Sequence, residues 1–202
     1  MLGLGEYKTI FIVVGLAGIL VLAWPILSGF MPARATQRFS ELYVLGPEGV
    51  ADDYPYNMTA GEQHMVIIGI GNQLGSSALY EVRVKLRNSA EPLPNSTTGT
   101  PSGQVSLYEE KAFVADGHTM EMSIDFSFTD VAFDEPGTSC RVVTFTLNQL
   151  DVDLNQTLLW DAEKGGYRGE LFFELWLYNP DTRAFAYHNR FVGFWVNIIS
   201  QE

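Results

Sequence analysis

Along this chain the spacing of apolar residues changes character once. From Thr9 to Met31 (TIFIVVGLAGILVLAWPILSGFM) nearly every position is apolar, and no charged residue falls between Lys8 and Arg34. A helix rises about 1.5 Å per residue, so about 20 such residues cross a hydrocarbon core of about 30 Å, and the run predicts one transmembrane helix over 9–31. Trp24 and Pro25 stand near its end, where an interfacial indole and a helix-ending proline both fit. From Phe39 onward the period is two. In Thr119 to Thr129 (TMEMSIDFSFT), Met120, Met122, Ile124, Phe126 and Phe128 alternate with Glu121, Ser123, Asp125 and Ser127. Tyr80 to Arg87 (YEVRVKLR) alternates as strictly, and Arg141 to Leu147 does so more weakly through Val143, Phe145 and Leu147. Met65 to Ile70, Glu170 to Tyr178 and Ala184 to Ile199 are apolar without alternation and rich in β-branched or aromatic residues, which suits strands covered on both faces. Asn179-Pro180-Asp181-Thr182 is turn chemistry between the last two and predicts a C-terminal hairpin. The expectation is an all-β fold: an antiparallel immunoglobulin-like β-sandwich of about eight strands, preceded by one transmembrane helix.

This pattern divides the chain into a tail (1–8), an anchor (9–31), a linker (32–38) and a β-sandwich (39–200). A long polar loop at 88–104 (NSAEPLPNSTTGTPSGQ) has no hydrophobic period and reads as exposed. A cleaved secretory signal is the alternative to a retained anchor, because Ala33-Arg34-Ala35 offers a cleavage site after Ala35; the apolar run exceeds the 7–15 residues typical of a signal core, which favours the anchor. The flanking charges do not decide orientation. Three sequons do more: Asn57-Met58-Thr59, Asn95-Ser96-Thr97 and Asn155-Gln156-Thr157 all follow the span and none precedes it. They make Asn57, Asn95 and Asn155 candidate N-glycosylation sites, with the N-terminus inside and the C-terminal domain extracytoplasmic.

Composition narrows the partners. Twelve Lys and Arg against 24 Asp and Glu give a net charge of −12, the wrong sign for counterion release, so nucleic acid is excluded. An aromatic content of 13% predicts a folded core, and a single cysteine excludes an intrachain disulfide framework and a cysteine-based zinc site. The expected contacts are the bilayer through the helix and an envelope or membrane-complex protein, with a glycan as a further candidate.

Catalytic signatures are lacking. His64, His118 and His188 are far apart in sequence and have no metal-ligand neighbour at i+2 or i+4, and Cys140 reads as a small buried hydrophobe. Phosphate-binding glycine loops and Gly-x-Ser-x-Gly elbows do not occur. Asp52-Asp53, Glu109-Glu110 and Asp134-Glu135 are adjacent carboxylates, which on a strand point to opposite faces and read as solvated surface. Asp151, Asp153 and Asn155 match the first three ligand positions of a calcium loop, a weak candidate because Gln156 replaces the required glycine and Ala162 the closing glutamate. Trp160, Trp176 and Trp195 with Tyr178 and Tyr187 suit either core packing or a sugar-stacking face, and Trp176 and Trp195 are the sugar-stacking candidates. No cofactor and no catalytic residue is expected.

Leu45-Gly46-Pro47-Glu48-Gly49, Asp53-Tyr54-Pro55, Asn57-Met58-Thr59, Gly61-Glu62 and the apolar strand Met65 to Ile70, followed by Asn72 and Gly75, occur in that order between Phe39 and Arg87. This segment resembles an archaeal membrane-protein family known as domain of unknown function 1616. Where the family usually has Asn-His-Glu-Gly, this chain has Asn72-Gln73-Leu74-Gly75, so no role for that His and Glu carries over. The resemblance implies a membrane-associated surface module and lends no activity. The functional expectation is a non-enzymatic, membrane-anchored cell-surface protein whose β-sandwich mediates protein contact or scaffolding in the envelope. A carbohydrate-binding module and a non-catalytic accessory subunit of a membrane complex are the alternatives.

Overall fold

The computed structural model describes residues 7–8, 11–19, 21, 38–135 and 137–200. The chain divides into two compact units, Met1–Gln37 and Arg38–Glu202. In the first, residues 7–8, 11–19 and 21 are helical, and Phe11, Ile12, Val13, Val14, Leu16 and Ile19 are all exposed. The rest of the expected 9–31 span, the 32–37 part of the linker and the Ala35 cleavage position lie outside the described residues. Among the described residues no helix is long and apolar enough to cross a membrane.

The second unit is all β. Its strands are β1 (Phe39–Leu45), β2 (Asn57–Met58), β3 (His64–Gln73), β4 (Ala78–Asn88), β5 (Tyr108–Val114), β6 (Thr119–Phe133), β7 (Ser139–Leu147), β8 (Leu150–Asp161), β9 (Gly166–Asn179) and β10 (Ala184–Ile198). They form one connected sheet in the order β1-β3-β6-β7-β8-β9-β10-β2, with β4 pairing β9 and β5. All pairings are antiparallel except the short β2–β10 contact. Strand β9 is the branch point. β10 runs along one edge of it, while on the other edge Gly166–Arg168 pair with β8 and the following residues pair with β4.

Among the described residues there are ten strands, where about eight were expected. β2 has two residues, too few to show a period, β5 carries charged residues that mask its own, and the alternation of β8 coincides with the acidic spacing of a calcium loop. The weak alternation in β7 has a physical reason: a bulge opposite β8 between Val142 and Thr144 shifts the register, so Val142 rather than Val143 enters the core ahead of Phe145 and Leu147. The inner faces of β3, β4, β6, β7, β9 and β10 share one apolar cluster. Phe126 on β6 is its hub, with ring centroids 6.1 Å from Phe194 on β10 and 6.0 Å from Phe145 on β7. Cys140 is buried in this core, and burial, with Asp134 nearby, pushes its thiol pKa up to about 12.

On the opposite face of β1–β3–β6, Gly69 is required by its neighbour. The Tyr43 ring lies flat across it, so that a Cβ there would sit 2.0 Å from Tyr43 Cζ. The Tyr43 hydroxyl donates to Glu121 Oε1 at 2.8 Å, and burial together with that carboxylate raises its pKa to about 12. Gly69→Val therefore expels the ring and breaks the bond to Glu121. Urea unfolding is expected to show a loss of about 1–3 kcal/mol, as for other overpacked sites, and Tyr43→Leu in the Gly69→Val background should add little further loss.

Candidate functional site

The outward face of β4 carries Glu81, Arg83, Lys85 and Arg87, the residues expected to meet solvent, yet three of the four are buried. They face Trp176, Glu174, Phe172 and Glu170 of β9 in register. Lys85 Nζ lies 3.0 Å from Glu174, Arg87 Nε donates to Glu170 at 2.7 Å, and Arg83 pairs with Glu81 at 2.7 Å. The polar loop between β4 and β5 covers this row. Ser102 N–H donates to Glu174 Oε1 at 2.7 Å, Lys85 Nζ to Ser102 Oγ at 2.9 Å, and Arg87 Nη1 to the carbonyl of Glu91 at 2.6 Å. Trp176 Nε1 donates to the other Glu174 oxygen at 3.1 Å, so this carboxylate, 0% exposed, is fully coordinated. The loop is solvent-facing on its outer side and a polar cover on its inner side. Two covered faces explain why β9 is apolar or paired at every buried position.

Trp176 and Trp195 both lie on this outward face, half-buried, with guanidinium groups over their rings: Arg83 at 3.7 Å from the Trp176 centroid, Arg168 at 3.9 Å and Arg87 at 5.1 Å from that of Trp195. A sugar stacking on either ring face has to displace an arginine. Trp160 is apart from them, at the end of β8 against Tyr167. Asp151, Asp153 and Asn155 share the exposed side of β8, where an extended strand spaces alternate residues about 7 Å apart rather than wrapping them round one ion. Among the described residues no three His, Cys, Asp or Glu side chains come together as a metal site. Asn57 (β2), Asn95 (the β4–β5 loop) and Asn155 (at positive φ in β8) are all exposed.

At the end of the sheet where β1 begins, a polar chain that no local motif announced crosses four strands. Asn72 Nδ2 donates to the carbonyls of Ser76 and Val114, both at 2.9 Å. Its Oδ1 accepts from Tyr80 OH at 3.1 Å, so the Tyr80 oxygen accepts from Ser40 Oγ at 2.7 Å and Ser40 Oγ accepts from His188 Nε2 at 3.0 Å. This is the orientation in which every member is satisfied. Ser40 is buried and committed to Tyr80, so the serine–histidine contact is a strand tie rather than a nucleophile.

At the other end, a cleft of about 450 Å³ opens between the β1–β2 loop, the β8–β9 turn and β10. Tyr54, Tyr56, Phe194 and Trp195 form its apolar wall, and Asp52, Asp53, Lys164 and Arg168 its polar lining. Tyr54 stacks on Phe194 at 5.7 Å and donates to the carbonyl of Val44 at 3.0 Å. Arg168 is anchored on Asp161 Oδ2 at 3.2 Å. Although burial opposes it, Asp161 is held below the usual carboxylate range by the Glu163 and Lys164 backbone N–H groups and Arg168. The Tyr56 hydroxyl and Arg168 Nε are buried without a hydrogen-bond partner.

The profile of one family, described as a domain of unknown function (DUF1616), matches residues 32–144, more than half of the chain. The chain belongs to the DUF1616 family. No curated protein matches it. Among solved structures it is similar to a β-glucosidase from Listeria innocua, at 11% identity and TM-score 0.38, with 80% of this chain covering 16% of that one. It is also similar to a chain of the complex between zinc 2-glycoprotein and prolactin inducible protein from human seminal plasma (7%, TM-score 0.37, 82% and 99% covered). A CARDB domain from Pyrococcus furiosus, solved with di-metal ions, is a third (8%, TM-score 0.36, 80% and 89% covered).

The motif residues that carry the DUF1616 resemblance are turn-makers here. Gly46 N–H bonds to the carbonyl of Val50 at 2.8 Å, and a Cβ on Gly46 would lie 2.2 Å from the Asp52 carbonyl oxygen, so only glycine closes this loop. Glu62 caps the next turn by accepting from Thr59 N and Oγ1, which lowers its pKa. Asn72, the member before the divergent Gln73-Leu74, organises the β3–β4 turn, and Gly75 at φ +85 donates its N–H to Asp116 Oδ1 at 2.7 Å. The DUF1616 segment thus also shapes the loop that walls the cleft, through Asp53 and Tyr54.

Lys85→Met leaves the buried Glu174 carboxylate without its cation. Denaturant unfolding is expected to show a loss of about 3–5 kcal/mol, and the double replacement Lys85→Met with Glu174→Leu a much smaller one. Burial, reinforced by Arg190, lowers the pKa of His188, and burial lowers that of His64 against the pull of Glu62. Both rings stay neutral in the fold where the unfolded chain already binds protons near pH 6.5. Stability is therefore full above about pH 6.5 and declines as pH falls through the lower folded values. Melting temperatures recorded from pH 8 to 5 should show this decline, flattened in the His64→Phe, His188→Gln double variant.

Proposed function

We propose that this chain is a membrane-anchored cell-envelope protein whose extracytoplasmic unit, an immunoglobulin-like β-sandwich, binds another envelope polypeptide and performs no chemistry of its own. The observation that carries the reading is the free edge of β5. β5 pairs with β4 alone, and on it Phe113 is 69% exposed, opposite Leu79. Lys111 on the same face extends to 5.4 Å from the Phe185 ring, which packs on Tyr178 at 5.3 Å. An unpaired backbone edge beside a cluster of apolar and aromatic side chains is what strand addition by a partner uses: main-chain hydrogen bonds supply affinity and side-chain pockets select. On β1 Arg190 Nε donates to the carbonyl of Ser40 at 3.3 Å, and on β5 Asn72 holds the carbonyl of the last residue, Val114, at 2.9 Å.

The supports for anchoring and export are separate. Residues 11–19 and 21 are helical with exposed apolar side chains, a character that water does not favour and lipid does. Exposure of Asn57, Asn95 and Asn155 leaves all three accessible to a glycosylating enzyme. The shared inner core of β3, β6 and β7 with β4, β9 and β10 favours the sandwich. A net charge of −12 favours reversible, specific contact over adhesion to anionic lipid.

Crosslinking through lysine in native membranes, followed by pull-down and mass spectrometry, tests this. Lys111 should be joined to one recurrent partner, and Phe113→Asp should cut the yield about tenfold, the effect of losing one buried aromatic contact, without lowering the melting temperature. Equal capture by both proteins sinks the proposal. Glycopeptides at Asn57, Asn95 or Asn155 support the orientation, and protection of the C-terminal unit from protease on intact cells overturns it.

A further inference from the structure

We infer that the cleft between the β1–β2 loop and the β8–β9 turn binds a hexuronate residue of an acidic glycan, a site separate from the β5 edge. The cleft has donors without acceptors. Lys164 Nζ makes no ion pair or hydrogen bond among the described residues, and the hydroxyl of Tyr56 and Nε of Arg168 are buried at the cleft without a partner. The two cationic residues that line the cleft, Lys164 and Arg168, call for an anionic oxygen, and a carboxylate supplies two in one plane. Arg168 is already fixed for this, because Asp161 holds its Nη1 and the Trp195 ring lies under its guanidinium, so little side-chain freedom is lost on binding.

A bare carboxylate does not account for the rest of the lining. Asp53 makes no side-chain hydrogen bond among the described residues, and Asp52 uses only Oδ1, to accept the Asp53 N–H at 2.9 Å. These oxygens accept hydroxyl protons and repel a ligand that is anionic throughout. Asp53 is held at φ 54, in the left-handed region, by the tight loop that Gly46 closes. Of the aromatic wall, Tyr54 and Tyr56 meet the weakly polar C–H face of a pyranose ring, since Phe194 is buried and Arg168 covers Trp195. One carboxylate, several hydroxyls and a carbon face together describe a sugar acid. The cleft, about 450 Å³, is at the small end of the about 300–1,000 Å³ of ligand sites and suits one or two rings. The Lys164 turn is rigid, with Gly165 N–H on the Asp161 carbonyl at 2.8 Å and Gly165 at φ +66, which fixes where the lysine starts.

The full-length protein in detergent is titrated with D-glucuronate, D-glucose, acetate and inorganic phosphate, followed by tryptophan fluorescence and by equilibrium dialysis. Glucuronate should bind saturably and at least about tenfold more tightly than the other three, as expected when either the ion pair or the hydroxyl contacts are missing. Lys164→Gln should remove the advantage over glucose, and Asp53→Asn the advantage over acetate, with melting temperatures unchanged. Phe113→Asp should bind glucuronate like the parent, which separates this site from partner capture. Equal binding of glucose, acetate or phosphate, no effect of Lys164→Gln, or no saturable binding by either method overturns the inference.

Discussion

A carboxylate with no surface of its own, Glu174 in the middle of β9, sets the terms for the rest of the sheet. Burying one unpaired charge costs more than the net stability of most domains, so such a group must be met by a cation and by hydrogen-bond donors that fill its remaining lone pairs. Here the cation is Lys85 from the neighbouring strand, and the donors are Trp176 from the same strand and a backbone N–H of Ser102 from a loop about seventy residues away in sequence. The β4–β9 register, the path of the loop and the orientation of Trp176 are thereby fixed together. A slip of one residue in β4 would exchange Lys85 for an apolar neighbour and leave the charge stranded. The loop's polar composition and want of a hydrophobic period follow from this, because its inner side has to supply polar groups to a polar face.

That arrangement also explains what the indoles are for. Trp176 and Trp195 stand in the same row as the arginines, and the guanidinium groups that pair with Glu81 and Glu170 also cover their rings. The cations gain from both neighbours, and aromatic carbon shields the ion pairs from water. A row of this kind binds the sheet's second face without an apolar layer.

The fold class was readable because β6 and β4 alternate with period two and β9 does not. What the pattern could not give was the reason for β9's second cover. Alternating charges in YEVRVKLR look the same whether they meet water or a loop that packs back, since the pairing partner lies some ninety residues away and no local signal encodes it. β8 was legible in principle: Asp151, Asp153 and Asn155 alternate with Val152 and Leu154, and the strand has that period. The acidic spacing of a calcium loop and the exposed face of a strand are the same arithmetic, and only the flanking glycine and glutamate tell them apart. In the cleft, Asp52-Asp53 showed as an acidic pair and Trp195 as an aromatic candidate. Lys164, Arg168 and Tyr56 carried no signal, because a lysine in a Glu-Lys-Gly-Gly turn is ordinary until the turn is seen to face a tyrosine over a hundred residues earlier.

The sealed row and the open positions follow from one another. Once the centre of the β4–β9–β10 face is filled by ion pairs, rings and loop, the two surfaces proposed for interaction are what stays open: the β5 side, where Phe113 and Lys111 are exposed, and the cleft, where Arg168 continues the arginine–tryptophan stacking past the last buried pair. Arg168 belongs to both worlds. Its guanidinium lies on Trp195 as Arg83 lies on Trp176, yet Asp161 satisfies only one side of it and Nε is buried without a partner. The ligand carboxylate inferred for that point would extend, by one more acceptor, the alternation of cation and acid that already runs across the sheet.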